Sequence, residues 1–147
     1  MILRAYDQKL VGQFTTVGTG LSVYVSWATI QGTTSTVIDS DNNLASVLGD
    51  GGTYDLMDYA DTGTQVADPN RMRKIETIQV KNNAITNRPL QFYIVSIGPT
   101  WSGAYELTPA FDIPAGGMLH YSPTTGWRIH NAAGRIIGGA GYGPGGW

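Results

Sequence analysis

The chain has 147 residues, a size suited to one domain able to bury its own core. Only 14% of the residues are charged and the formal net charge is −2, so there is no basic footprint for nucleic acid or for an anionic membrane. Cysteine is absent, which removes disulfides, zinc-thiolate sites and a cysteine nucleophile. Glycine numbers 20 and threonine is abundant, a composition that disfavours helices and suits strands and turns. No run approaches the ~18 apolar residues of a membrane-spanning helix. The opening Met1–Tyr6 is not followed by the long apolar stretch of a signal peptide.

Read in order, the chain predicts strands separated by turns. Ile2–Tyr6 and Val11–Val17 are short candidates. Leu21–Ile30 is stronger, because Leu21, Val23, Val25 and Trp27 alternate with Ser22, Tyr24, Ser26 and Ala28, the pattern of a half-buried strand. Thr33–Ile38 is β-branched and reads as a strand. Asp39–Gly52 is polar and reads as turn-rich, with Leu44–Leu48 as one helical turn. Thr53–Tyr59 fits a strand or a short helix, and Asp61–Asn70 reads as a loop.

From Arg71 the pattern sharpens. In Arg73–Lys81, Ile78 and Val80 share a phase while Ile75 is out of step, which predicts a bulge near Glu76-Thr77. Leu90–Ile97 is apolar in both phases, with Leu90, Phe92 and Ile94 against Tyr93, Val95 and Ile97. It is expected in a central position, its second face covered by another layer or a neighbouring subunit. Ala104–Leu107 and Phe111–Ile113 read as one bent strand broken at Pro109. Met118–Tyr121 and Gly126–His130 form a predicted hairpin across Ser122–Thr125, with Tyr121 facing Trp127 and Gly126 supplying a positive φ. Asn131–Gly134 is a further turn. The predicted fold is a single-domain antiparallel β-sandwich or jelly-roll-like barrel over residues 1–137 with little helix.

Residues 138–147 are a Gly-rich C-terminal segment in which six of ten residues are Gly, and which carries Tyr142 and Trp147. Its glycines make independent structure entropically costly, so it reads either as a tail without structure or as an arm ordered against another subunit. On the second reading the two rings are anchors.

Charge is unevenly placed. No Lys or Arg lies between Lys9 and Arg71, whereas seven of the eleven acids do: Asp39, Asp41, Asp50, Asp55, Asp58, Asp61 and Asp68. Arg71, Arg73, Lys74 and Lys81 then hold four of the nine bases. The pattern fits solvated loops beside a solvated strand, or an acidic edge that meets a basic edge on another copy. Asp39-Ser40-Asp41-Asn42-Asn43, with Asp50 at the twelfth position, imitates the start of a calcium-binding EF-hand loop. Leu44 stands where that loop needs Gly and the flanks are not helical, which argues against it.

Catalytic patterns are lacking. His120 and His130 sit at opposite ends of the hairpin, facing Arg128 and Met118. Gly116-Gly117 and Gly49–Gly52 lack the Lys of a phosphate loop. Asp39, Asp41, Glu106 and Asp112 are scattered, and Ser96, Ser102 and Ser122 lack a nucleophile elbow. No catalytic residue, metal or cofactor is expected.

The segment Arg71–Ile137 also resembles a widespread group of small structural proteins of tailed bacteriophages. The elements that carry the resemblance are Ile75–Asn82, the aromatic-bearing Leu90–Ile97, the Pro114-Ala115-Gly116-Gly117-Met118-Leu119-His120-Tyr121 hairpin, Gly126-Trp127-Arg128-Ile129 and Ala133-Gly134. The resemblance weakens toward the N-terminus and does not extend into the Gly-rich end. It implies a non-enzymatic virion structural protein assembled in the host cytoplasm, of the capsid decoration, cement or head accessory kind. Its partners would be itself, as a trimer, and other virion proteins such as the major capsid protein, with neither nucleic acid nor membrane. Candidate interface residues are Tyr142, Trp147, Phe92, Ile94, Arg71, Arg73 and Lys74. The alternative is a receptor- or carbohydrate-binding module of a tail fibre or spike, with Trp27, Trp101, Trp127 and Tyr24 stacking on a host-surface glycan.

Overall fold

The computed structural model describes residues 1–4, 8–14, 20–31, 36–47, 53–57, 70–97 and 102–139. Among them are twelve strands and no helix: β1 (Ile2–Arg4), β2 (Gln8–Phe14), β3 (Leu21–Gln31), β4 (Thr36–Val47), β5 (Thr53–Met57), β6 (Arg71–Asn82), β7 (Arg88–Ile97), β8 (Ser102–Glu106), β9 (Phe111–Ile113), β10 (Met118–Ser122), β11 (Gly126–His130) and β12 (Ile136–Gly138). They form two antiparallel sheets packed face to face, a β-sandwich. The larger sheet runs β12-β11-β10-β6-β3-β4, with β1 also on β6. The smaller runs β5-β2-β7-β8, with β9 also on β7.

The alternation of Leu21–Ile30 resolves as expected. Leu21, Val23, Val25 and Trp27 are buried and the intervening residues through Ser26 are half-buried. The bulge in β6 is present. Ser26 faces Thr77 while Trp27 faces Ile75, leaving exposed Glu76 without a partner across the ladder. That extra residue lets Ile75 and Ile78, three positions apart, both turn into the core at 0% exposure.

Asp39–Gly52 departs from expectation. Asp39–Val47 continues β4, paired along β3 from Thr29 to Leu21, so Leu44–Val47 is strand rather than a helical turn. Polar residues are poor strand formers in isolation, but pairing with a long central strand overrides that weak preference. The backbone of Asp39–Asn43 is thus extended along β3 instead of winding into the loop that an EF-hand needs, in line with the departures of its sequence from that motif. Thr53–Met57 is strand, and its bulge against β2 turns both Leu56 and Met57 inward. Leu48–Gly52 and Asp61–Pro69 lie outside the described residues.

The bent strand also appears. β8 and β9 both run along β7, β8 beside Tyr93–Ile97 and β9 beside Arg88–Leu90. Between them Pro109, with no amide to donate, takes the chain out of the ladder. Buried Thr108 fills the gap: its Oγ1 accepts from Phe92 N–H at 3.2 Å, and its carbonyl accepts from the Gln91 amide at 2.9 Å.

Asn82 closes one end of the sandwich at 0% exposure. Its Nδ2 donates to the carbonyls of Thr86, Ile113 and Pro114 at 2.9, 2.9 and 3.1 Å, and its Oδ1 accepts from Ala84 N–H at 2.9 Å. One amide thus joins the β6–β7 loop to the turn that opens the β10–β11 hairpin. In that turn Gly117 N–H donates to the Pro114 carbonyl at 2.8 Å, with Gly116 at the positive-φ position (67°) that glycine adopts without strain.

The hairpin has the expected register, Tyr121 opposite Trp127, His120 opposite Arg128 and Met118 opposite His130. Trp127, 1% exposed, meets Tyr121 in its own sheet at 4.9 Å between centroids, and Phe92 and Phe111 of the other sheet at 4.7 and 5.2 Å. Trp127→Ala is expected to lower unfolding free energy by about 3–5 kcal/mol, read from denaturant midpoints at unchanged slope. Asn82→Ala removes hydrogen bonds to three carbonyls and one amide and is expected to cost about 1–3 kcal/mol in the same measurement.

Candidate functional site

The sequence-predicted interface residues separate into three places. Tyr142 and Trp147 lie outside the described residues. Phe92 is 0% exposed against Trp127, so its ring belongs to the chain's own core. Ile94 packs half-buried against that core. Arg71, Arg73 and Lys74 sit on β6 between β1 and β3. They do not form a one-sided basic edge, because neighbouring residues of a strand alternate in direction. Arg73 shares the phase of Ile75 and places its guanidinium 5.3 Å from the Trp27 ring centroid, while Lys74 is exposed in the opposite phase. Of the acids, Asp55 is paired with Lys9 at 2.7 Å.

The rings proposed to stack on sugar are mostly unavailable to one. Trp27 and Trp127 are 7% and 1% exposed within the core, Trp101 lies outside the described residues, and Tyr24 is half-buried on the outward face of β3.

What the geometry does bring together is the outward face of the smaller sheet. β7 is paired on both edges, by β2 on one side and by β8 and β9 on the other. Its Leu90 and Phe92 fill the core, so Tyr93 and Val95 must point the other way. Val11 lies opposite Tyr93, and Ala104 lies opposite Val95. Together with Gln13 these residues line an open depression of about 230 Å³ spanning β2, β7 and β8. Val11, at 2% exposure, is its most buried side chain. Tyr93 donates its hydroxyl to Gln91 Oε1 at 2.9 Å, which holds the ring's polar end beside the depression. The doubly apolar pattern of β7 signalled this face. Val11 and Ala104 carried no such signal, because they come from strands far away in sequence.

The second cluster is on the outward face of the larger sheet. Met118, His120, Arg128 and His130 share one face of the hairpin, with Lys81 of β6 opposite Met118. The two imidazoles are diagonal neighbours rather than directly opposed. Burial and, secondarily, the charge of His130 push the His120 pKa below its ordinary value of about 6.5. His130 Nδ1 lies 3.2 Å from the Gly134 carbonyl. Among the described residues no three His, Asp or Glu side chains gather closely enough to hold a metal ion. Ser96 is fully buried, and Ser122 shares a 2.8 Å hydrogen bond with Thr125 within its turn.

Comparison with known proteins found no matching family model, no matching curated protein and no matching solved structure.

Folded His120 takes up its proton at lower pH than the unfolded chain does, so the folded state binds fewer protons as pH falls through about 6.5. This contribution to stability is present in full above that pH and is lost below it. The melting temperature is expected to be lower at pH 5 than at pH 7.5, and His120→Gln to narrow the gap. An equal gap in the variant would assign the whole effect to other groups.

Proposed function

We propose that this chain is a non-enzymatic structural protein of a bacteriophage particle, a capsid decoration or head accessory module that works by adhesion between subunits. The observation that carries the reading is the apolar depression on the outward face of β7. A sandwich core covers one face of a central strand, and the residues of the other, Tyr93 and Val95, remain half-buried around an open hollow. Apolar side chains gathered on an outward sheet face are the usual mark of a surface that meets another protein. The resemblance of Arg71–Ile137 to small structural proteins of tailed phages supplies the setting. Low charge and a fold built from turns and paired strands suit a module repeated many times on a shell. The sugar-binding alternative is weakened by the burial of Trp27 and Trp127.

On this reading the protein associates with itself, and a closed ring such as a trimer is the expected form. Multi-angle light scattering of the purified chain should show one discrete multimer. Val95→Glu, which places a charge on the outward face without touching the core, should yield a monomer of unchanged melting temperature. Mass spectrometry of purified particles from cells carrying the gene should find the chain at a copy number comparable to that of shell subunits. A monomeric chain that is absent from particles would refute the proposal.

A further inference from the structure

Beyond adhesion through the smaller sheet, we infer that the outward face of β10, β11 and β6 docks an acidic segment of a partner protein. The site is a cationic patch with apolar residues set into it.

Strand register lays two rows of side chains next to each other on that face. One runs Arg128, His120, Gln79 and Tyr24 across β11, β10, β6 and β3. The other runs Ile136, His130, Met118, Lys81 and Ser22, and begins one strand further out, on β12. Directly paired residues point to the same side of a sheet, and the alternating Leu119, Tyr121 and Val80 fill the core. Arg128, His120, His130 and Lys81 therefore gather within two strand spacings and two residues, an area of roughly 10 by 7 Å.

No neighbouring element cancels their charge. β1, β3, β10, β11 and β12 contain no acid. β4 brings Leu44 and Ser46 to the ends of the two rows. β6 carries one acid, Glu76, which stands three residues from Gln79, ~10 Å along the strand. Lys81 and Arg128 donate to the carbonyls of Gly116 and Trp127, which holds the two cations in place without neutralising them. Among the described residues none of the four is ion-paired.

The apolar members select the kind of partner. Met118 lies half-buried between His130 and Lys81, and Ile136 is 62% exposed beside His130. Arg and Met with apolar neighbours are the composition of a surface that meets protein. A nucleic-acid backbone needs cations strung along it, and here they end within ~10 Å on a chain of net charge −2. An extended peptide repeats its same-face side chains every ~6.8 Å, the spacing of Arg128 and His130 along β11, so alternate carboxylates can meet both. The imidazoles add positive charge only as pH falls. His120 does so at lower pH than usual, because burial and the charge of His130 oppose its proton.

The test uses the full-length chain and a fluorescently labelled aspartate oligopeptide, whose carboxylates stay ionised at pH 5, read by anisotropy at ~0.1 M ionic strength. Saturable binding is expected, tighter at pH 5 than at pH 7.5. Arg128→Gln with Lys81→Gln should weaken it about tenfold at an unchanged melting temperature. Lys81→Gln alone, at an exposed position, should lose part of that affinity and keeps the test open if the double variant unfolds. Lys74→Gln is the comparison. It removes the same charge ~23 Å away along β6, beyond two screening lengths, and should bind as the parent does. Val95→Glu, on the smaller sheet, should also bind as the parent does, so failure of the adhesive reading leaves this site standing. Equal losses in Lys74→Gln and Lys81→Gln would reduce the attraction to general charge and overturn the site, as would the absence of saturable binding at both pH values. Tighter binding of duplex DNA than of the peptide, lost in the same variants, would overturn the choice of partner. An affinity that does not rise at pH 5 would remove the two imidazoles from the patch.

Discussion

The indole of Trp127 joins the two sheets, and much of the molecule is arranged so that it can. It stands on β11, in the larger sheet, and its ring meets Phe92 of β7 and Phe111 of β9 across the interior. Tilted aromatic contacts of this kind add to the area they bury, and they fix the relative placement of the layers more sharply than aliphatic packing does. The β10–β11 hairpin orients the ring, since the Ser122–Gly126 pairing sets a register in which Tyr121, Trp127 and Ile129 share one face. A slip of one residue would put Trp127 in solvent and Arg128 in the core.

Two buried polar groups, Thr108 and Asn82, then fit around that apolar centre, each satisfying backbone that the sheets leave over. Thr108 replaces the ladder bond lost where Pro109 parts β8 from β9. Asn82 gathers the carbonyls of two loops at the end of β6. Buried polar side chains carry a desolvation penalty unless bonded, and both of these are bonded to backbone. They define where the loops sit, which in turn places β9 beneath the indole.

The outward faces follow from the inward ones. Once Leu90 and Phe92 are committed to the core, Tyr93 and Val95 have only one direction left, and the apolar depression with Val11 and Ala104 is the consequence. On the larger sheet the same logic turns His120, Arg128, His130 and Lys81 toward solvent. The two faces differ in character: one apolar and hollow, the other polar and cationic. An adhesive role draws on the first.

The sequence by itself determined the features that depend on neighbours along the chain. Strand alternation in Leu21–Ile30, the bulge foretold by an out-of-step Ile75, the break at Pro109 and the register of the hairpin are all set within a few residues, by φ preferences, missing amides and period-2 side-chain direction. Tertiary structure alone decided the rest. Asp39–Val47 is a strand because β3 offers it a full ladder of partners, not because its residues favour one. Phe92 lies within the core and not at a subunit surface because Trp127 and Phe111 close over it from strands far along the chain. The depression belongs to no segment: Val11, Tyr93 and Ala104 become neighbours only through pairing of strands up to 93 positions apart (104 − 11). Hydrogen bonds between such strands depend on which surfaces the whole chain can bury at once, and local sequence carries no record of that.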